Sequence, residues 1–206
     1  RLGTDRIDLL FFHSPFGLEE IEDDVWAALD GLRTAGKVRA IGHSISKFED
    51  TASMATTWAQ ERRIDVIQVV LSLLNRQTQG LIDQLAPLGI GVLARESLAN
   101  GFLSGTVTAD TVFPEGTLNA RYSSEEVASR VAQVERLAFL VGGAIQTLPQ
   151  AALRWVLDQE GVSCVLTGAR TPDEVSDCAA AARAPAFAAH YLARARQLHG
   201  QDFSAA

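Results

Sequence analysis

Lysine is nearly missing from this chain. Of its 18 cationic side chains only Lys37 and Lys47 are lysines, and the rest are arginine. Cationic side chains are also outnumbered, with a net charge of −7. That balance excludes non-specific binding to nucleic acid or to an acidic membrane surface. A small anionic ligand stays possible, because a few clustered arginines can hold a phosphate on an acidic protein. There are two cysteines, Cys164 and Cys178. Their separation matches no metal-ligand spacing, so no metal is expected, and a reduced intracellular pair is the expectation. No apolar run reaches the length of a membrane-spanning helix, and "RLGTDRIDLL" has no signal-peptide pattern. A cytoplasmic protein is therefore expected. The chain opens on Arg1 rather than Met, which fits a sequence that begins inside a longer protein.

Another absence bears on the fold. Neither "GTLNARYSSEE" nor "LVGGAIQ" fits the G-x-G-x-x-G pattern after a strand, which argues against a dinucleotide fold of the Rossmann type. What is present is an alternation of short apolar runs with longer helical patterns. The run "IDLLFFH" precedes "EEIEDDVWAALDGLRTAG", whose Ile21, Val25, Ala28, Leu29 and Leu32 fall at helical spacing, with acids early and Gly36 just past the end. Next come "VRAIGHS" and a helix over "FEDTASMATTWAQERR", then "IDVIQVVLS" and "QGLIDQLAPLG", then "GIGVLAR". A long, partly helical region from Gly101 to about Gly143 includes an N-cap at Ser123. A helix over "LPQAALRWVLDQEG", the strand "VSCVLTG" and a helix begun by Thr171-Pro172 complete the series.

Five strand-then-helix units argue for a parallel sheet with helical crossovers. The strands read as nearly continuous apolar runs, as expected when both faces are covered. No linker interrupts residues 1–206, so one α/β domain is expected. The pattern alone fits either an open sheet or part of a (β/α)8 barrel. In both, functional groups gather at the carboxyl ends of the strands. The residues there are His13, His43-Ser44, Gln68 and Ser72, Arg95-Glu96, and Thr167 to Arg170. The bland readings are that Gln68 satisfies backbone groups and that Arg170 caps a helix or pairs with Asp173. His43 reads as a second polar group of a pocket or as a ring bonded to a neighbouring strand, with the first preferred. Trp26, Trp58 and Trp155 read as core, and His190 and His199 as solvent-facing.

The segments "RLGTDRIDLLFFHSP", "GLRTAGKVRAIGHSISK", "IDVIQVVLSLLNR", "GIGVLARESLANGFLSG" and "VLTGARTPDEV" resemble, in order, successive segments of the aldo-keto reductase superfamily. The resemblance covers essentially the whole chain. It implies a (β/α)8 barrel of which strands 4–8 are represented, NADP(H) as cofactor, and hydride transfer to an aldehyde or ketone. It matches His13 to the histidine that orients the substrate carbonyl, and Ser44 and Gln68 to the holders of the nicotinamide carboxamide. Arg95 stands where an aromatic often lies under the nicotinamide. Ser97, Leu98, Gly101, Leu103 and Gly105 match the loop over the pyrophosphate. Gly168 and Arg170 match the adenosine-phosphate clamp, with Arg170 facing a 2′-phosphate, and Glu174 and Cys178 fall at adenine-contacting positions. Ile45 and Cys178 depart from the family's usual asparagines. The family's first three βα units, with its Asp, general-acid Tyr and Lys, have no counterpart in residues 1–206. The expectation is thus part of a longer reductase acting on a small carbonyl compound. Two further readings are a barrel completed by another chain, through self-association or a partner, and a shortened member acting as a non-redox module.

Overall fold

The computed structural model describes residues 3–15, 17–45, 48–61 and 63–203. Its contacts divide the chain into two compact units. The first takes residues 1–70, 77–94 and 160–164, and the second takes residues 71–76, 95–159 and 165–206.

The first unit is built on a five-stranded sheet: β1 (Ile7–Phe12), β2 (Val38–Ser44), β3 (Val66–Val70), β4 (Gly91–Arg95) and β5 (Val162–Val165). The strands lie side by side in chain order, and the β1–β2 and β2–β3 pairs are parallel. Each strand being added next to its predecessor, the order never reverses. A doubly wound sheet requires such a reversal, so this topology is the singly wound one of the barrel class. Helices α1 (Asp23–Thr34), α2 (Phe48–Gln60) and α3 (Gln79–Leu85) make the early crossovers. Helix α1 carries Asp23 and Asp24 in its first turn and is followed by Gly36 at φ 67°, the left-handed stop its sequence foretells.

Strand alternation splits the sheet into two faces. Phe12, Ile41, His43, Ile67 and Val69 share one face by register, and it is covered by Trp26 of α1 and Trp58 of α2. Phe12, Trp26, Trp58 and His43 form a chain of tilted and edge-on rings with centroids 5.0 to 6.3 Å apart. Phe11, Gly42, Ser44, Val66 and Gln68 share the other face. Asp65 fastens the helix layer to the sheet: its carboxylate pairs with Arg33 of α1 and accepts the Ile41 amide at 2.8 Å. The tryptophans are core, as expected. Two expectations fail. Helix α1 buries Trp26 and Leu29, while Val25 and Leu32 of the apolar series are exposed. Strand β1 is not enclosed either, and Leu9 is 42% exposed. The reason is positional, since β1 has a neighbour on one side only.

The second unit contains α4 (Ser124–Glu135), α5 (Leu148–Leu157), α6 (Pro172–Ala180) and α7 (Ala189–Gly200). Ser123 and Glu126 close a reciprocal capping box on α4, and Thr147 and Thr171 cap α5 and α6, each with proline in the first turn. Asp177 of α6 accepts from Gln150 at 2.7 Å and Thr147 at 2.8 Å, joining α5 to α6. Trp155 lies in the core under the guanidinium of Arg76, 4.3 Å from its ring centre. Burial beside Arg196 lowers the Arg76 pKa to about 10, still charged at neutral pH. His199 departs from expectation. It is half-buried edge-on to Phe203, and that burial lowers its pKa.

A nearly buried ion pair ends α5. Arg154 donates to Asp158 through Nε at 3.0 Å and Nη2 at 2.8 Å, and the other carboxylate oxygen accepts the Phe187 amide at 2.9 Å. Asp158→Ala leaves a buried guanidinium unanswered, and the expected loss is about 3–5 kcal/mol, read as a lower urea midpoint.

Candidate active site

Ser44 closes β2 and Gln68 sits at the centre of β3, and their Cα atoms are register partners. Equal register puts both side chains on one face, where Ser44 Oγ donates to Gln68 Oε1 at 3.1 Å. The bond fixes the amide and leaves the Gln68 –NH2 to donate and the Ser44 oxygen to accept. A carboxamide needs one donor and one acceptor, so this pair fits it. Ile45, 2% exposed, points its side chain into the core, and its amide donates to Gln68 O at 2.9 Å. It offers no polar side-chain atom where the family has asparagine. His13 follows the last residue of β1 and is exposed, so its ring is open to a ligand.

His43 is not a pocket residue. It alternates with Ser44, so it faces the helices and is fully buried edge-on to Trp58, at 5.0 Å. Neither ring nitrogen has a hydrogen-bond partner among the described residues. Burial lowers its pKa to about 4, so the ring is neutral at physiological pH. The alternation of a seven-residue strand was the signal: if Ser44 faces ligand, its neighbour cannot. Ser72 also has a local job, since its Oγ accepts the Leu74 and Asn75 amides in a turn.

In the second unit Arg95 pairs with Glu96. The segment from Glu96 to Gly105 then runs through left-handed backbone at Glu96, Ala99, Asn100, Gly101 and Gly105. Three of these are not glycine, a cost of order 1–3 kcal/mol each that is found at ligand clamps. Phe102 and Leu103 bury beneath the loop and anchor it, with Leu98 half-buried. Ser97 is 1% exposed, and its Oγ has no partner among the described residues. An orphaned hydroxyl at the start of a strained loop fits an oxygen-rich ligand group, such as a pyrophosphate, as its missing partner.

After β5, Gly168 and Arg170 are exposed. The Arg170 guanidinium forms no ion pair among the described residues, so the expected alternative of pairing with Asp173 is not what occupies it. The Arg170 amide donates to Glu174 Oε2 at 2.6 Å, and the Glu174 amide donates to Thr171 Oγ1 at 3.2 Å, which orders the start of α6. Glu174 is therefore engaged in capping. Cys178, one turn on, lies 3.6 Å from Thr167 Oγ1. Among the described residues no cluster of three His, Cys, Asp or Glu could hold a metal ion.

A singly wound parallel sheet defines the (β/α) barrel class of fold. The Aldo/keto reductase family model matches residues 1–198, and the chain belongs to that family. It is similar to the NADH-specific methylglyoxal reductase of Escherichia coli, 32% identical over 191 residues, which span 88% of this chain and 56% of that protein. The aldo-keto reductase YhdN of Bacillus subtilis is 31% identical over 182 residues, covering 85% of this chain and 53% of its own. The solved glycerol dehydrogenase of Gluconobacter oxydans matches in fold at a TM-score of 0.81 and 24% identity, over all of this chain and 62% of that one. The chain thus spans little more than half the length of the curated relatives it matches.

Proposed function

We propose that residues 1–206 are one domain, the C-terminal part of an NADP(H)-dependent cytoplasmic enzyme that reduces a small aldehyde or ketone to an alcohol. The observation that carries this reading is the Ser44–Gln68 pair, preset to take a carboxamide on the sheet of an oxidoreductase family. When bound, the dinucleotide supplies the hydride. In the first unit Ser44 and Gln68 would hold a nicotinamide carboxamide and His13 would donate a hydrogen bond to a substrate carbonyl oxygen; in the second, Ser97 and the 97–105 loop would hold a pyrophosphate. In this reading the proton comes from the family's general-acid tyrosine, which has no counterpart in residues 1–206. Relatives differ in cofactor, one being named NADH-specific and another, from Schizosaccharomyces pombe, NADP(+). The Arg170 guanidinium, which forms no ion pair among the described residues, supports NADP, because a guanidinium matches a phosphate dianion in charge and shape.

The test is cofactor titration of the full-length protein. Arg170→Ala is expected to raise the NADPH dissociation constant by about 10- to 100-fold, in line with roughly 1.5–3 kcal/mol for a charged hydrogen bond, with NADH unchanged. Equal losses for both would remove the 2′-phosphate contact. Failure of the wild type to bind either cofactor would instead support the shortened, non-redox reading, which the buried Ile45 and the Cys178 substitution favour. Binding restored only in a mixture with a second chain would support completion by a partner.

A further inference from the structure

Tyr122 follows a 3-10 turn, Leu118–Arg121, and its ring stands edge-on to Phe102 of the strained loop at 5.3 Å. Its phenolic oxygen accepts from Arg121 Nη2 at 3.1 Å and from Asn100 Nδ2 at 3.4 Å. Asn100 is among the loop residues held at positive φ, and its carbonyl accepts from Asn119 Nδ2 at 2.7 Å. The Arg130 guanidinium of α4 lies over both rings, 4.8 Å from that of Tyr122 and 5.5 Å from that of Phe102. Arg121 and Arg130 form no ion pair with a described carboxylate, so their charge is spent on this phenol and its neighbours. Burial works to raise the phenol's pKa, yet the bonds from Arg121 and Asn100 and the nearby guanidinium charges carry it below the ordinary range.

The ring and the hydroxyl have separate jobs. The ring covers Phe102, which stays buried with or without the oxygen. The oxygen ties a left-handed residue of the 97–105 loop to the turn before α4. A backbone that takes up unfavourable φ at Glu96, Ala99 and Asn100 relaxes unless something outside it holds it. We propose that Tyr122 is a latch on this loop: its hydroxyl, bonded to Asn100 and Arg121, holds the loop in its strained course, and breaking those bonds is the step by which the loop opens. As a positioning residue it would set how fast a bound dinucleotide leaves. That last consequence rests on the proposed function, whereas the latch itself does not.

Amide hydrogen exchange on the full-length protein without ligand tests the latch. The Ala99, Gly101 and Leu103 amides bond to Glu96 O, Leu98 O and Leu98 O at 2.7, 2.9 and 3.1 Å. In Tyr122→Phe, which keeps the ring, their exchange is expected to speed up about three- to tenfold, the size of one or two net hydrogen bonds. The melting temperature should stay put. Asn100→Gly, which keeps the left-handed backbone, should do the same, and the double variant should add nothing. Unchanged exchange in Tyr122→Phe, or additive losses spread over α4 and α5 with a lower melting temperature, would overturn the proposal. Stopped-flow release of NADPH should then quicken by the same factor in Tyr122→Phe. If the wild type binds neither NADPH nor NADH the reductase reading falls, and the exchange result still decides the latch.

Discussion

Gly42→Val is expected to cost about 3 kcal/mol or more and to leave little soluble protein. A Cβ built on Gly42 would collide with the Val66 carbonyl oxygen and stand 2.8 Å from the Phe11 ring. The oxygen cannot yield, because it belongs to the backbone of the adjoining strand, and the half-buried Phe11 ring would have to swing aside. Inserting carbon into a close-packed site costs about 1–3 kcal/mol where side chains can shift, and more where a strand must move. Gly31 is the internal control. It lies inside α1, and a Cβ there meets nothing within 4 Å. Gly31→Ala should therefore stabilise by about 0.5–1 kcal/mol, from better helix propensity. Urea unfolding of the two variants should give changes of opposite sign. Equal and small changes would mean that β1, β2 and β3 do not pack as described.

His43 should make the first unit sensitive to acid. Its pKa falls from 6.5 to about 4 on folding because the ring is enclosed against Trp58 without a partner. The unfolded chain thus binds the proton more readily. Stability from this residue is complete above pH 6.5 and is lost as the pH falls toward 4. Below that, both states are protonated and the loss levels off. At 1.36 kcal/mol per unit the total is about 3 kcal/mol. In His43→Leu that portion of the pH dependence should vanish, and the variant should be the more stable one at pH 4.5. Parallel stability curves from pH 7 to 4.5 would show that His43 is hydrated in solution.

The fold was mostly legible because its signals are local. The apolar run Val38–Ser44 is β2 to the residue, and Ser123 and Thr171 start helices by chemistry contained within four residues. Ser44 and Gln68 were also legible as a pair, through resemblance, and their register confirms that they meet. What escaped is what depends on the other side of a contact. His43 looks polar in the sequence, but strand parity hands it to the helix layer. His199 looks exposed on an alanine-rich helix, but Phe203 folds back over it. Tyr122 lies away from every strand end, and only the packing of Phe102, Asn100 and Arg130 gives it a task. Exposure of β1 depends on a neighbour, which periodicity within the strand does not report.

The order of the strands also sets a schedule for synthesis. β1 to β4 follow one another closely, so each can dock on the last as it leaves the ribosome. β5 cannot: about 65 residues of the second unit separate it from β4, although Ser163 Oγ accepts the Val92 amide at 3.1 Å once it arrives. At roughly 5–20 residues per second, the outer rim of β4 waits some 3 to 13 seconds for its partner. During that interval the nascent chain is a half-finished platform with one strand edge open.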